Sequence, residues 1–120
     1  MESAVLRNAH GKRRRSSSRF RDEGLWPPLV PSVVLVECLE GHAGRDAVSN
    51  RFLKACDLAE AVSESLARRA ALLRRHARRG SAVDAVVVAL AEGGGTVLTS
   101  DPHDLQALAS HAERANVVRI

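Results

Sequence analysis

Ser81-Ala82-Val83-Asp84-Ala85-Val86-Val87-Val88-Ala89-Leu90-Ala91-Glu92-Gly93-Gly94-Gly95-Thr96-Val97-Leu98-Thr99-Ser100-Asp101-Pro102 spells a helix, a turn, a strand and the start of a second helix. Ser81 is an N-cap residue with an acid three places on. Asp84 is the only charge before Leu90 in a helix that is apolar on every side, so that helix is expected to be buried. Gly93-Gly94-Gly95 ends it, and Thr96-Val97-Leu98-Thr99 has strand character. In such a unit the helix runs antiparallel to the strand, so its first turn lies beside the strand's far end. Asp84 and Asp101 are therefore expected to be neighbours.

Toward the C-terminus, Pro102 suits the first turn of a helix, and residues 116–120 read as a final strand. Toward the N-terminus, Ser63 opens a long helix ending near Gly80, with Leu66, Ala70 and Leu73 at helical spacing and arginines between them. Residues 57–62 suit a short edge strand, and residues 45–55 a helix. Leu29-Val30 suits another strand, and Pro31 the first turn of a helix reaching about Gly41. Residues 5–23 are polar and basic, fitting either a solvated helix or an arm. Helices alternating with strands over short connections indicate an α/β fold with a parallel sheet. The chain reads as a single domain, residues 1–120, with a divergent or truncated segment over 1–24 and a recognisable body over 25–120. There is no internal repeat.

With 120 residues the chain is large enough for one core and too small for two. Hydrophobic residues make up 45%, yet there is no Tyr, one Trp and two Phe, so the core must be built from Val, Leu and Ala. No apolar stretch approaches the ~20 residues that span a bilayer, which argues against a membrane. Lys12-Arg13-Arg14-Arg15 is followed by serines where a secretory signal needs an apolar segment, so a cytoplasmic protein is expected. Cys38 and Cys56 lack zinc or disulfide spacing and read as buried thiols. The five histidines show no ligand spacing, and Gly93-Gly94-Gly95 lacks the ending of a phosphate loop. A net charge of +4, with arginine pairs at 68–69, 74–75 and 78–79, favours a polyanionic partner. The same arginines equally suit a solvated helix face.

Each acid has two readings. Asp84 is either the reciprocal partner of the Ser81 cap or a ligand. Asp101 is either a cap, with Pro102 after it and Asp104 in the first turn, or a ligand beyond the carboxyl end of a strand, where open α/β sheets bind theirs. Glu37 is a lone acid within Val33-Val34-Leu35-Val36-Glu37-Cys38-Leu39; it faces solvent with Glu40 or joins the other two. It stands ~9 Å along its helix at about 1.5 Å per residue, and helix geometry does not bring it to the sheet edge. Two close carboxylates repel unless a proton or cation lies between them. Hard oxygen donors select Mg²⁺ or Mn²⁺ over zinc.

Val30-Pro31-Ser32-Val33-Val34-Leu35-Val36-Glu37, Ser81-Ala82-Val83-Asp84-Ala85 and Thr99-Ser100-Asp101-Pro102-His103-Asp104-Leu105 together resemble the PIN-domain ribonucleases, in particular the VapC toxins of toxin-antitoxin systems. The resemblance covers residues 29–120. It implies a three-layer α/β/α fold with a central parallel sheet, and Glu37, Asp84 and Asp101 as catalytic metal-binding acids. It further implies Asp104 as a fourth carboxylate, Thr99 or Ser100 as support for the metal site, and Arg74, Arg75 and Arg78 as contacts to the RNA backbone. The implied activity is Mg²⁺- or Mn²⁺-dependent hydrolysis of RNA by a homodimeric toxin held in check by a cognate antitoxin protein. One departure stands out. Family members begin with a central strand ending in an acid, followed by a motif like Ser-Ala-Leu, whereas this chain has Met1-Glu2-Ser3-Ala4-Val5-Leu6. Met1 then holds the place of the first acid, Glu2 is its only replacement, and the first strand is expected to be missing. Either the natural start lies upstream or the chain is a degraded copy. A catalytically impaired remnant that only binds a partner is the alternative, and an α/β module whose acids are mere helix caps is a third.

Overall fold

The computed structural model describes residues 3–6 and 27–120. Its elements are β1 (Ala4–Leu6), β2 (Leu29–Pro31), α1 (Val34–Cys38), α2 (Ala47–Leu53), β3 (Asp57–Ala59), α3 (Glu64–Ala77), α4 (Ala82–Ala91), β4 (Thr96–Thr99), α5 (His103–Ala109) and β5 (Asn116–Arg119). The strands form one sheet in the order β3-β2-β1-β4-β5, flanked by helices in a manner consistent with a three-layer α/β/α fold.

The centre of the sheet departs from expectation. The middle position is filled, by Ala4–Leu6, and this strand runs antiparallel to both neighbours: Val5 pairs with Leu29, and Ala4, Val5 and Leu6 pair with Leu98, Val97 and Thr96. The outer pairs β2-β3 and β4-β5 are parallel, so four strands point one way and β1 alone points the other. Ala4, Val5 and Leu6 are at most 1% exposed. Three consecutive apolar residues satisfy a strand covered on both faces, but so short a run has no periodicity to betray it. The expectation of a solvated helix or arm is thus corrected for Val5 and Leu6; its remainder up to residue 23 lies outside the described residues, as does Glu2.

Elsewhere the corrections are of boundaries. Pro31 ends β2 and does not open a helix; Ser32, after it, donates its N–H to the Ala59 carbonyl, supplying the bond a proline cannot. Helix α1 is consequently only Val34–Cys38. Helix α3 is capped by Ser63, whose side chain accepts from Leu66 N–H, and ends on Arg78 in the left-handed conformation. Helix α4 carries the expected capping box and lies across β1, β2 and β4, with α3 packed on it and α5 against both α4 and β5. Its Ala85, Val87, Val88, Ala89 and Ala91 are buried, which compensates for the modest helix propensity of valine. At the far end Gly95 N–H bonds the Ala91 carbonyl. A Cβ there would meet that oxygen at 2.7 Å, so no other residue fits.

Cys38 and Cys56 form no disulfide and are half-buried. Burial, reinforced by Asp57, pushes the Cys56 thiol up to about 11, which makes it a poor nucleophile. No helix among the described residues is long and apolar enough to cross a membrane.

Candidate functional site

Helix α4 starts, and β4 ends, at the same edge of the sheet, and because β1 is reversed its leading residue, Ser3, reaches that edge too. A concave cavity of about 190 Å³ opens there, lined by Ser3, Val34, Glu37, Val83, Asp84, Val87, Thr99, Asp101, Asp104 and Leu105. All four acids singled out in the sequence therefore share one pocket. Its apolar floor comes from α1, α4 and α5. The first turns of α4 and α5 and the end of β4 supply the polar wall.

Asp84 fulfils its bland reading and still lines the pocket. Its backbone N–H donates to Ser81 Oγ at 3.0 Å, and its Oδ2 accepts the Ser81 N–H at 3.2 Å. Asp101 behaves differently. Helix α5 begins at His103 with no side-chain cap, and Asp101 is fixed through its main chain: its N–H donates to Thr99 Oγ1 at 3.1 Å. Thr99 is 2% exposed, so this hydroxyl is a rigid support under an exposed carboxylate. Of the two proposed supports, Thr99 lines the pocket and Ser100 does not.

Glu37, admitted only by family resemblance, is exposed on α1 at the pocket wall. The loop that follows it is held by a residue the sequence reading missed. Asp46 is 5% exposed, and its carboxylate accepts the backbone N–H groups of Glu40, Gly41 and His42 at 2.9, 2.9 and 3.0 Å. The Glu40 bond, with help from those of His42 and Gly41 and against the effect of burial, holds its carboxyl below the ordinary range. The only sequence signal was an acid a few residues after a glycine, a common turn pattern.

Asp104 is engaged by Arg79, whose Nε donates to Oδ1 at 3.0 Å; both side chains are about half exposed. Of the three arginines assigned to RNA, Arg74 donates its Nε to the Gly80 carbonyl at 3.2 Å, while Arg75 and Arg78 are exposed on the last turn of α3 and just after it.

The chemistry of the donor set, carboxylates with a hydroxyl, suits a hard divalent cation. Among the described residues, however, no three His, Cys, Asp or Glu side chains converge closely enough to hold a metal ion as they stand: Asp84 is turned onto its cap and Asp104 onto Arg79. Glu37 and Asp101, both exposed, are the acids whose side chains have room to swing inward. A larger adjoining cavity of about 290 Å³ shares Ser3 and Val34, but Val30, Val48, Phe52 and Leu53 give it an apolar lining without charge.

No protein-family model matches the chain, and comparison with curated proteins and with solved structures finds no match to either.

Proposed function

We propose that the chain is a divalent-metal-dependent endoribonuclease of the kind its resemblance to PIN-domain toxins implies, acting on RNA and restrained by an antitoxin. The observation that carries this reading is the meeting of Glu37, Asp84, Asp101 and Asp104 in one pocket at the carboxyl ends of the parallel strands. Arg79 already offsets the charge of Asp104, and a cation drawn in by Glu37, Asp84 and Asp101 would offset the rest. Glu37, Asp84 and Asp101 would hold Mg²⁺ or Mn²⁺, Asp84 through the carboxylate oxygen its cap does not use. The ion, when bound, supplies an activated water and charge stabilisation at the leaving oxygen. Thr99 keeps the Asp101 backbone in place, and Asp46 fixes the loop beyond Glu37. The near absence of aromatic residues leaves recognition to the RNA backbone and not to stacked bases.

One observation favours the second reading, a catalytically impaired protein that only binds a partner: among the described residues, the start of β1 brings Ser3 to the pocket and no acid. Cutting of a single-stranded RNA, with Mg²⁺ and with EDTA in its place, separates the two. Under the first reading the chain cuts only with Mg²⁺, and Asp84→Asn and Asp101→Asn are inactive; equal cutting by both variants sinks it. A wild-type chain that neither cuts nor binds Mn²⁺ in a calorimeter, and does bind it once an upstream strand is added, favours the second.

A further inference from the structure

An acidic pocket repels the phosphodiester it is meant to receive. Unless a cation stands at its rim, only the metal draws the RNA in. The turn between α3 and α4 provides such a cation. Arg78 takes the left-handed conformation with φ 55° and Gly80 follows with φ 91°; a Cβ on Gly80 would come within 2.6 Å of Leu108 Cδ1 and 3.8 Å of Asp104 Cβ. The turn thus packs directly on α5, next to Asp104, and Arg74 ties down the Gly80 carbonyl from the preceding helix. The residue held between these two fixed points is Arg79. Its Nε bonds Asp104, a residue of the pocket wall, which leaves the remaining guanidinium N–H groups for a second anion. A guanidinium presents a planar fork that matches phosphate.

Building on the ribonuclease reading, we propose that Arg79 is the phosphate-binding residue of this site, and that Asp104 is its positioning residue instead of a metal ligand. The exposure of the pair means that the contact is weakly held, so Arg79 can lean toward an RNA phosphate while Asp104 keeps it at the rim. A dication placed on Asp104 would face the guanidinium's like charge. The assignment also separates the arginines. Arg74 shapes the turn, Arg75 and Arg78 add general positive charge, and Arg79 places its guanidinium on an acid of the pocket wall.

The test is fluorescence anisotropy with an end-labelled single-stranded RNA, in the Asp101→Asn background so that the probe survives. Arg79→Ala is expected to weaken binding about tenfold and to reduce the slope of log affinity against log salt by about one. Arg79→Lys should preserve that slope while regaining only part of the affinity, because the point charge remains and the fork is lost. Asp104→Asn should weaken RNA binding less than Arg79→Ala does, and in the otherwise wild-type chain should leave calorimetric Mn²⁺ affinity unchanged. In cleavage assays Arg79→Ala should raise KM more than it lowers kcat. The proposal is overturned if Arg79→Ala binds RNA with unchanged affinity and slope, or if Asp104→Asn lowers Mn²⁺ affinity by about tenfold or more, as loss of a ligand would. A wild-type chain that binds the RNA without cutting it overturns the ribonuclease reading while the Arg79 measurements still decide this one. A chain that does not bind the RNA overturns both.

Discussion

Each end of helix α4 lies beside an acid bonded to an arginine, Glu92 just past its last turn and Asp104 on α5 near its first, and the two arrangements differ in kind. At the far end Arg69 on α3 grips Glu92 with two parallel bonds, Nε to Oε1 at 2.8 Å and Nη2 to Oε2 at 2.7 Å, and Glu92 also accepts the Glu113 N–H at 2.8 Å. Both partners are largely covered, with side chains 34% and 16% exposed. The hydrogen bond to Arg69 is the main cause holding the Glu92 carboxyl below its ordinary value, and its counterpart raises Arg69. At the pocket end the Arg79–Asp104 contact is single and open to solvent. One arrangement locks three elements together, while the other leaves its charges available. Scaffold and site are thus divided along one helix.

The sharpest way to break this division is Asp101→Asn. RNA cutting should fall by about a hundredfold or more, as for loss of a metal ligand, with the urea unfolding midpoint unmoved; a loss of stability comparable to that at the far end would show that the pocket is structural after all. Glu92→Ala should do the reverse, costing about 1–3 kcal/mol of unfolding free energy while the cutting rate stays at the wild-type level. That cost depends on pH in a stated direction. Because folding lowers the Glu92 pKa, its contribution is present above the unfolded value of 4.5 and is lost as pH falls through the folded value. The stability gap between wild type and Glu92→Ala, measured by urea titration, should therefore narrow progressively as pH falls below 4.5.

Asp84 tests the division from inside, because it belongs to both halves. Ser81→Ala removes the cap and should cost about 1 kcal/mol. Asp84→Asn keeps an oxygen acceptor for the Ser81 N–H and should unfold at nearly the wild-type urea concentration, yet be unable to cut RNA. The smallest effect is expected from Arg68→Ala. Its ion pair with Glu64 is one helical turn apart and about four-fifths exposed at both partners, so less than about 0.5 kcal/mol should be lost and RNA affinity should not change.

The part of the chain that was legible beforehand is the part in which neighbours in sequence are neighbours in space. From Ser63 onward each helix is announced by a cap, an apolar stripe or a glycine stop, and helix-turn-strand geometry alone brought Asp84 and Asp101 to the same edge. Glu37 was not legible that way. Its place at the pocket depends on how α1 leaves β2, and Pro31, taken for a helix start, is a strand end. The reversed β1 was less legible still, since Ala4-Val5-Leu6 has neither alternation nor length, and strand direction leaves no mark in composition. Asp46 escaped notice, and Arg79 was seen only as part of a basic pair, because their roles come from bonds to main chain and to a distant acid, which no local pattern records.

The reversed central strand also sets the order of assembly. Leu6 pairs with Thr96, ninety residues later in the chain, so the middle of the sheet cannot close until the ribosome has delivered β4. Until then residues 4–6 can pair with β2 on one side only, and their other edge is a template for the wrong strand. Loop closure over such a span also slows the productive encounter. A nascent chain of this protein therefore carries one edge of its most buried strand without its final partner until nearly four-fifths of the sequence has been made.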